Sequence, residues 1–193
     1  MMFSRPAMCQ FRQWIFTTLA LFTLMLFALV ALSPAAPARA DLGAAARLLP
    51  SAELVGAGRM TFLGFKVFDA ELYAPGGTYA PSAPFALKLT YLRAFKGKDI
   101  AESSVKEMRR QGGVSDRQLA AWGREMEAIF PDVRPGQSIT GVRTAGGRTE
   151  FYLGNRKLGS VSDPAFTKKF FAIWLGNASR DPQLRAKLVG AAS

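Results

Sequence analysis

Few side chains in this chain are suited to chemistry, and the missing types narrow the field first. The 193 residues include no histidine, and the lone cysteine is Cys9. Without them the usual transition-metal ligands are absent, and so is any Ser-His or Cys-His nucleophile pair. What remains is scattered. Asp69 and Glu71 stand two apart in "FKVFDAELYA", hence on one face of a strand. They suit either a general acid/base pair or two salt bridges. Tyr73, Tyr91 and Tyr152 each offer a phenol to a carboxylate, or act as core rings with the hydroxyl at the rim. In "SDPAFTKKFFAIWLG", residues 162–176, a single hydroxyl beyond the first turn, Thr167, sits among Phe166, Phe170, Phe171, Ile173, Trp174 and Leu175. Thr167, Phe171 and Trp174 are spaced i, i+4, i+7 and share one helix face. That face is a pocket wall or plain core. Thr167 is accordingly a ligand contact or a hydroxyl bonded back to a carbonyl one turn earlier. Trp122 and Trp174 are most simply core.

The elements that must position these residues follow from pattern and punctuation. Leu54 to Leu63 predicts a strand, Gly64 breaks it, and Phe65 to Ala74 predicts the second arm of a hairpin. Pro75-Gly76-Gly77 ends that arm. Phe85 to Arg93 alternates cleanly with period two. Lys98 to Gln111 predicts a helix with Asp99 at its start and Gly112-Gly113 at its end. A second helix runs from Asp116 to Phe130, opened by a Ser115/Gln118 capping box and stopped by Pro131. "SITGVRT", "TEFYL" and "RKLGSV" predict three more strands, joined by hairpin turns at Ala145-Gly146-Gly147 and Gly154-Asn155. Asp163-Pro164 and Asp181-Pro182 each set a capping Asp before a Pro at the first helical position. Strands, helices, strands and helices, without a repeating strand-helix-strand unit, predict an α+β fold with a mainly antiparallel sheet.

The first forty residues stand apart from that pattern. Arg5 and Arg12 precede an uncharged apolar run from Trp14 to Leu32, and "SPAAPARA" ends in Ala38-Arg39-Ala40. This is the order of a secretory signal peptide, with cleavage expected after Ala40 and one domain, residues 41–193, beyond it. The run approaches the about 20 residues of a membrane span, so an uncleaved N-terminal anchor is the alternative. Cys9 lies before the run, not at its end, and is misplaced for lipid attachment. The formal net charge is +11. Arg5, Arg12 and Arg39 are the only cations in the leader, so the remainder stays strongly basic. The cations are scattered in short pairs, such as Arg109-Arg110 and Lys168-Lys169. Export argues against a nucleic-acid partner. The charge predicts solubility and a weak attraction to anionic lipid surfaces or anionic ligands.

"GAGRMTFLGFKVFDAELYAP", "LTYLRAFKGKDIAESSVKEM", "AIFPDVRPGQSITG" and "FYLGNRKLGSVSDPAFTKKFFAIWLG", in that order, resemble the exported bacterial chalcone isomerase-like domain. The resemblance covers nearly all of Glu53 to Gly190. It implies a chalcone isomerase-like open-faced β-sandwich: a long antiparallel sheet with helices packed on one face, a smaller set of strands, and a ligand cleft between helices and sheet. With the leader, the expected location is periplasmic, and no cofactor is expected. The superfamily holds plant isomerases that close a flavanone ring, and non-enzymatic relatives that bind fatty acids.

Carried over by position, the family's early-strand Arg falls on Arg59, after Gly56-Ala57-Gly58. A guanidinium there would hold a phenolate or a carboxylate. The family's next-strand Thr, before an apolar-Tyr pair like Leu72-Tyr73, is replaced by Phe68 or Asp69. Its helix Tyr and Asn are missing from "KGKDIAESSVKEM". Its last Ser or Thr falls on Thr167. Without the missing donors a carbonyl loses electrophilic help often worth a few kcal/mol. The resemblance therefore implies a non-catalytic binder of a small amphipathic anion such as a fatty acid, with Arg59 as anchor. Thr167, Phe171, Trp174 and Tyr73 complete the expected contacts, and Phe166 and Phe170 the apolar wall. The alternatives are an intramolecular lyase or isomerase acting on a phenolic or enone substrate, and an interaction protein with a filled core.

Overall fold

Hairpin turns run the chain back and forth, and the result is one sheet in chain order. The computed structural model describes residues 42–190; the expected leader, residues 1–40, lies outside them. The strands are β1 (Ala52–Phe62), β2 (Phe65–Pro75), β3 (Phe85–Tyr91), β4 (Ser138–Arg143), β5 (Thr149–Leu153) and β6 (Arg156–Val161). Each pairs antiparallel with the next. Helices α1 (Gly97–Arg110) and α2 (Asp116–Ile129) connect β3 to β4, and α3 (Pro164–Leu175) and α4 (Pro182–Leu188) follow β6. The fold is α+β with an antiparallel sheet, as predicted. The separate smaller set of strands that the resemblance implies does not occur among the described residues.

The helix ends show which caps the sequence exposes. The Ser115 hydroxyl accepts from the Gln118 amide, Asp163 from Ala165 and Asp181 from Leu184. Asp99 does not cap α1. Instead Asp132, beyond α2, accepts from the Gly97 amide at 2.9 Å, so a long-range residue meets one of the unpaired donors of that terminus. Asp163 has a second duty, because its other oxygen accepts from Trp122 Nε1 at 3.0 Å and ties α2 to the start of α3.

Strand side chains alternate between two faces. Phe68, Ala70 and Leu72 of β2, with Phe85, Leu87, Leu89 and Tyr91 of β3, belong to the core beneath the helices. Phe151 is its centre, edge-on to Phe130 at 4.9 Å and to Phe170 at 5.1 Å, and Phe170 stacks on Phe166. Such ring pairs add about 0.5–1.5 kcal/mol each beyond burial. The opposite face carries Tyr73, Ala86, Val142 and Tyr152. It is covered by Leu42, Ala45 and Leu49 on a 3-10 helix, Gly43–Leu48, that periodicity does not reveal.

Two features of the β1–β2 hairpin are set by backbone geometry. Helix α4 lies directly on β1, and a Cβ at Gly56 would collide with the Lys187 carbonyl oxygen. The Gly-rich stretch before Arg59 thus seats a helix. The turn itself is Leu63-Gly64, with φ of 49° and 79°. Two positive φ values make the turn that favours Asn-Gly in hairpins, and a left-handed Leu costs about 1–2 kcal/mol.

Gly56→Ala should overpack the α4 contact and cost about 1–3 kcal/mol. Thermal unfolding should show a clearly lowered Tm; an unchanged Tm would contradict the seating of α4 on β1.

Candidate functional site

The helices do not fill the space they cover. Between the sheet, α1 and α3 lies a cleft of about 740 Å³, within the about 300–1,000 Å³ typical of small-molecule sites. Leu87, Leu89, Tyr91, Ile139 and Phe151 line it from the sheet. Phe170, Phe171, Ile173 and Trp174 line it from α3, and Ile100, Ser103, Ser104 and Lys106 from α1. Exposed Phe62, Phe65, Arg93 and Lys106 mark its opening to solvent. A smaller hollow of about 390 Å³ on the opposite face is lined by Lys88, Gln137, Ser138, Thr140 and Asn155 among others. Its lining is mostly polar, with Leu42 and Leu153 the large apolar residues in it.

The residues singled out by sequence divide between the two faces. Phe171 and Trp174 line the cleft, with Phe170 between them. Phe166 is fully buried in the core, against Trp122 at 5.7 Å, and does not line it. Arg59 is not in the cleft. It pairs across the hairpin with Asp69, between Gly58 and Met60. Gly58 meets Leu184 of α4 and Met60 lines the cleft, so alternation turns Arg59 to the other face. There its Nε and Nη2 donate to both Asp69 oxygens at 2.6 and 2.9 Å. The Arg59 hydrogen bond holds the Asp69 carboxyl below its ordinary range. The expected anion anchor is an exposed ion pair.

Tyr73 is also displaced by parity. It belongs to the cluster under the 3-10 helix, and its hydroxyl donates to Glu71 at 3.1 Å. Glu71 in turn pairs with Lys88 at 3.5 Å. Asp69 and Glu71 are thus engaged in salt bridges, one of the two uses their spacing predicts. Tyr152 donates to Glu150 at 2.7 Å on the same face. Burial would raise the Glu150 carboxyl, yet hydrogen bonds from Lys157, Tyr152 and Arg148 outweigh it and keep the carboxyl below its ordinary value. Burial and the bond to Glu150 push the Tyr152 phenol up to about 12.

Thr167 faces the sheet. It is 3% exposed. Its hydroxyl donates to the Asp163 carbonyl at 3.3 Å and accepts from the Thr149 hydroxyl at 2.8 Å. The bond to a carbonyl one turn back is the ordinary local role of Thr in a helix, and the bond to Thr149 fastens α3 to β5. Neither Thr167 nor Thr149 lines the cleft.

Sequence reasoning did not single out the cleft's own polar groups. Tyr91 is 5% exposed and lines the cleft, and its hydroxyl has no hydrogen-bond partner among the described residues. Burial raises its pKa, so it stays a neutral donor. Arg93 stands at the opening with its guanidinium 4.8 Å over the Phe65 ring, and it forms no ion pair among the described residues. The same holds for Lys106. Of the other polar groups of the cleft wall, Glu107 pairs with Arg110 and Arg180, Asp181 caps α4, and Ser104 donates to the Ile100 carbonyl, while Asp99 at the start of α1 adds an exposed carboxylate. The arrangement is an apolar chamber with one inner phenol and a rim that carries the Arg93 and Lys106 cations beside the Asp99 carboxylate.

Comparison with known proteins agrees with this architecture. The chalcone isomerase-like family model matches residues 50–190. An uncharacterized protein of Haemophilus influenzae is 28% identical over 137 residues, 70% of this chain and 67% of that one. The crystal structure of an Arabidopsis thaliana fatty-acid binding protein matches with a TM-score of 0.57 at 16% identity, covering 73% of this chain and 88% of that chain.

Thr167→Val should leave Thr149 without its buried partner and cost about 1–3 kcal/mol. It should leave ligand affinity of the cleft unchanged. A lost affinity without a lowered Tm would return Thr167 to the site.

Proposed function

The chain belongs to the chalcone isomerase-like family, and from that premise we propose that it is a non-catalytic, periplasmic binder of a small amphipathic anion, fatty-acid-like in chemistry. The observation that carries the reading is the chamber beneath α3. Its walls are Leu, Ile, Phe and Trp, its inner phenol is unpartnered, and the cations at its rim are unpaired among the described residues. An apolar chain in the chamber gains about 25 cal/mol per Å² removed from water. The head group then has Tyr91 as a neutral donor and Arg93 with Lys106 as charge. A guanidinium at a solvated rim needs no buried counterion, which spares the desolvation cost of an interior ion pair. The fatty-acid binding activity of the Arabidopsis neighbour supports this ligand class.

An isomerase would need donors converging on a ketone. Phe68 stands in the apolar core at one candidate family position, Asp69 is held by Arg59 at the other, and Thr167 is bonded to Asp163 and Thr149. Those commitments favour binding over catalysis.

Native mass spectrometry of the full chain from cells should find a bound lipid anion, and displacement titration with a fluorescent fatty acid should rank the variants. A hydrogen bond to a charged group contributes about 1.5–3 kcal/mol, so Arg93→Ala should weaken binding about tenfold. Tyr91→Phe should weaken it by a smaller factor, and Arg59→Ala should bind like the wild type. Absence of any fatty-acid complex in the wild-type protein would remove this reading.

A further inference from the structure

The β1–β2 hairpin ends in Phe62-Leu63-Gly64-Phe65, and its apolar side chains stand in water. Phe62 is 56% exposed, Leu63 80% and Phe65 60%, the three largest exposures of big apolar residues among the described residues. Stability does not account for Leu63. Its φ is 49°, a position that Asn occupies with less strain and that water would also prefer polar. Strain and exposure at one residue point to a use outside the fold.

The surroundings indicate what that use is. Phe62 and Phe65 line the opening of the cleft together with Arg93 and Lys106, and the Arg93 guanidinium lies over Phe65. Lys66 follows Phe65 in the chain and is exposed. An apolar point flanked by Lys66, Arg93 and Lys106 matches a surface whose interior is hydrocarbon and whose outer layer is anionic. It does not match a second copy of this chain, since two copies that are each strongly basic, with or without the leader, repel.

We propose that the hairpin tip docks this protein on an anionic lipid bilayer. Phe62, Leu63 and Phe65 enter the acyl boundary, and Lys66, Arg93 and Lys106 meet the headgroup phosphates. Docking sets the opening of the cleft on the membrane, so an amphipathic ligand passes between bilayer and chamber without crossing water. That last consequence rests on the ligand reading of the cleft; docking itself does not.

The test uses the full chain with Cys9→Ser and Thr61→Cys, the new thiol carrying an environment-sensitive fluorophore beside the tip. Vesicles of phosphatidylcholine mixed with phosphatidylglycerol should raise and blue-shift its emission, and lipids spin-labelled near the acyl carbonyl should quench it. Salt should weaken the response, as it does for exposed charges. Leu63→Asn in the same protein should remove most of the emission rise while raising Tm by about 2 °C, which separates docking from folding. Emission indifferent to vesicles would overturn the proposal. So would a response undiminished by Leu63→Asn, or a blue shift that grows with protein concentration in the absence of lipid. Fatty-acid displacement on the same samples keeps the two readings apart: a flat fluorophore signal with intact displacement removes docking and leaves the cleft reading standing.

Discussion

Every strand residue of this sheet points to one of two faces, and the four α-helices pack on the same one. That parity governs the molecule. On the helix side, Phe68, Leu72, Leu87, Leu89 and Phe151 make an apolar floor, and Thr149 reaches up to hold Thr167. On the other side the same strands send out Asp69, Glu71, Tyr73, Glu150 and Tyr152, which pair with Arg59, Lys88, Arg148 and Lys157. A residue cannot move between these populations without a register slip that would invert its whole strand. The ion-pair face and the face that carries the cleft are therefore physically separate.

The cleft opens beyond the first turns of α3, which are fixed to the neighbouring elements. Asp163 receives Ala165 and Trp122, and Thr167 receives Thr149, so the first turns are drawn against α2 and β5. Phe166 and Phe170 fill the space there with stacked rings. Further along, Phe171 and Trp174 line open volume with α1 on the far side. Unfilled apolar volume forfeits contacts that a packed core would make. Retaining about 740 Å³ of it is consistent with an occupant that supplies those contacts.

Much of the fold was legible in the sequence because its punctuation is local. Asp-Pro pairs, the Ser115/Gln118 box and the paired glycines each fix a terminus through atoms within four residues. The start of α1 was not legible, since Asp132 caps it from 35 positions away. The 3-10 helix was missed because Leu42, Ala45 and Leu49 gain meaning only from Tyr73 and Val142 on the sheet. The candidate site was half legible. The apolar face of α3 marked Phe171 and Trp174, but the spacing that marked Thr167 with them did not say that its hydroxyl turns to the sheet. Arg59 and Tyr73 were placed by position in a family pattern, and neither position reveals which sheet face the helices cover. Tyr91 was visible as one phenol among three; only the fold shows that the other two are bound to Glu71 and Glu150. The hairpin tip escaped notice because Phe62 and Phe65 continue the strands' apolar pattern until the turn leaves them in solvent.

An occupied cleft places an apolar chain beside Trp174. The protein has three tryptophans, Trp14, Trp122 and Trp174, so Trp14→Phe with Trp122→Phe leaves Trp174 as the sole reporter. A fatty acid carrying a nitroxide along its chain should then quench that emission saturably, and unlabelled fatty acid should restore it. Emission that stays unchanged through the titration, while the variant remains folded, would contradict the occupied cleft.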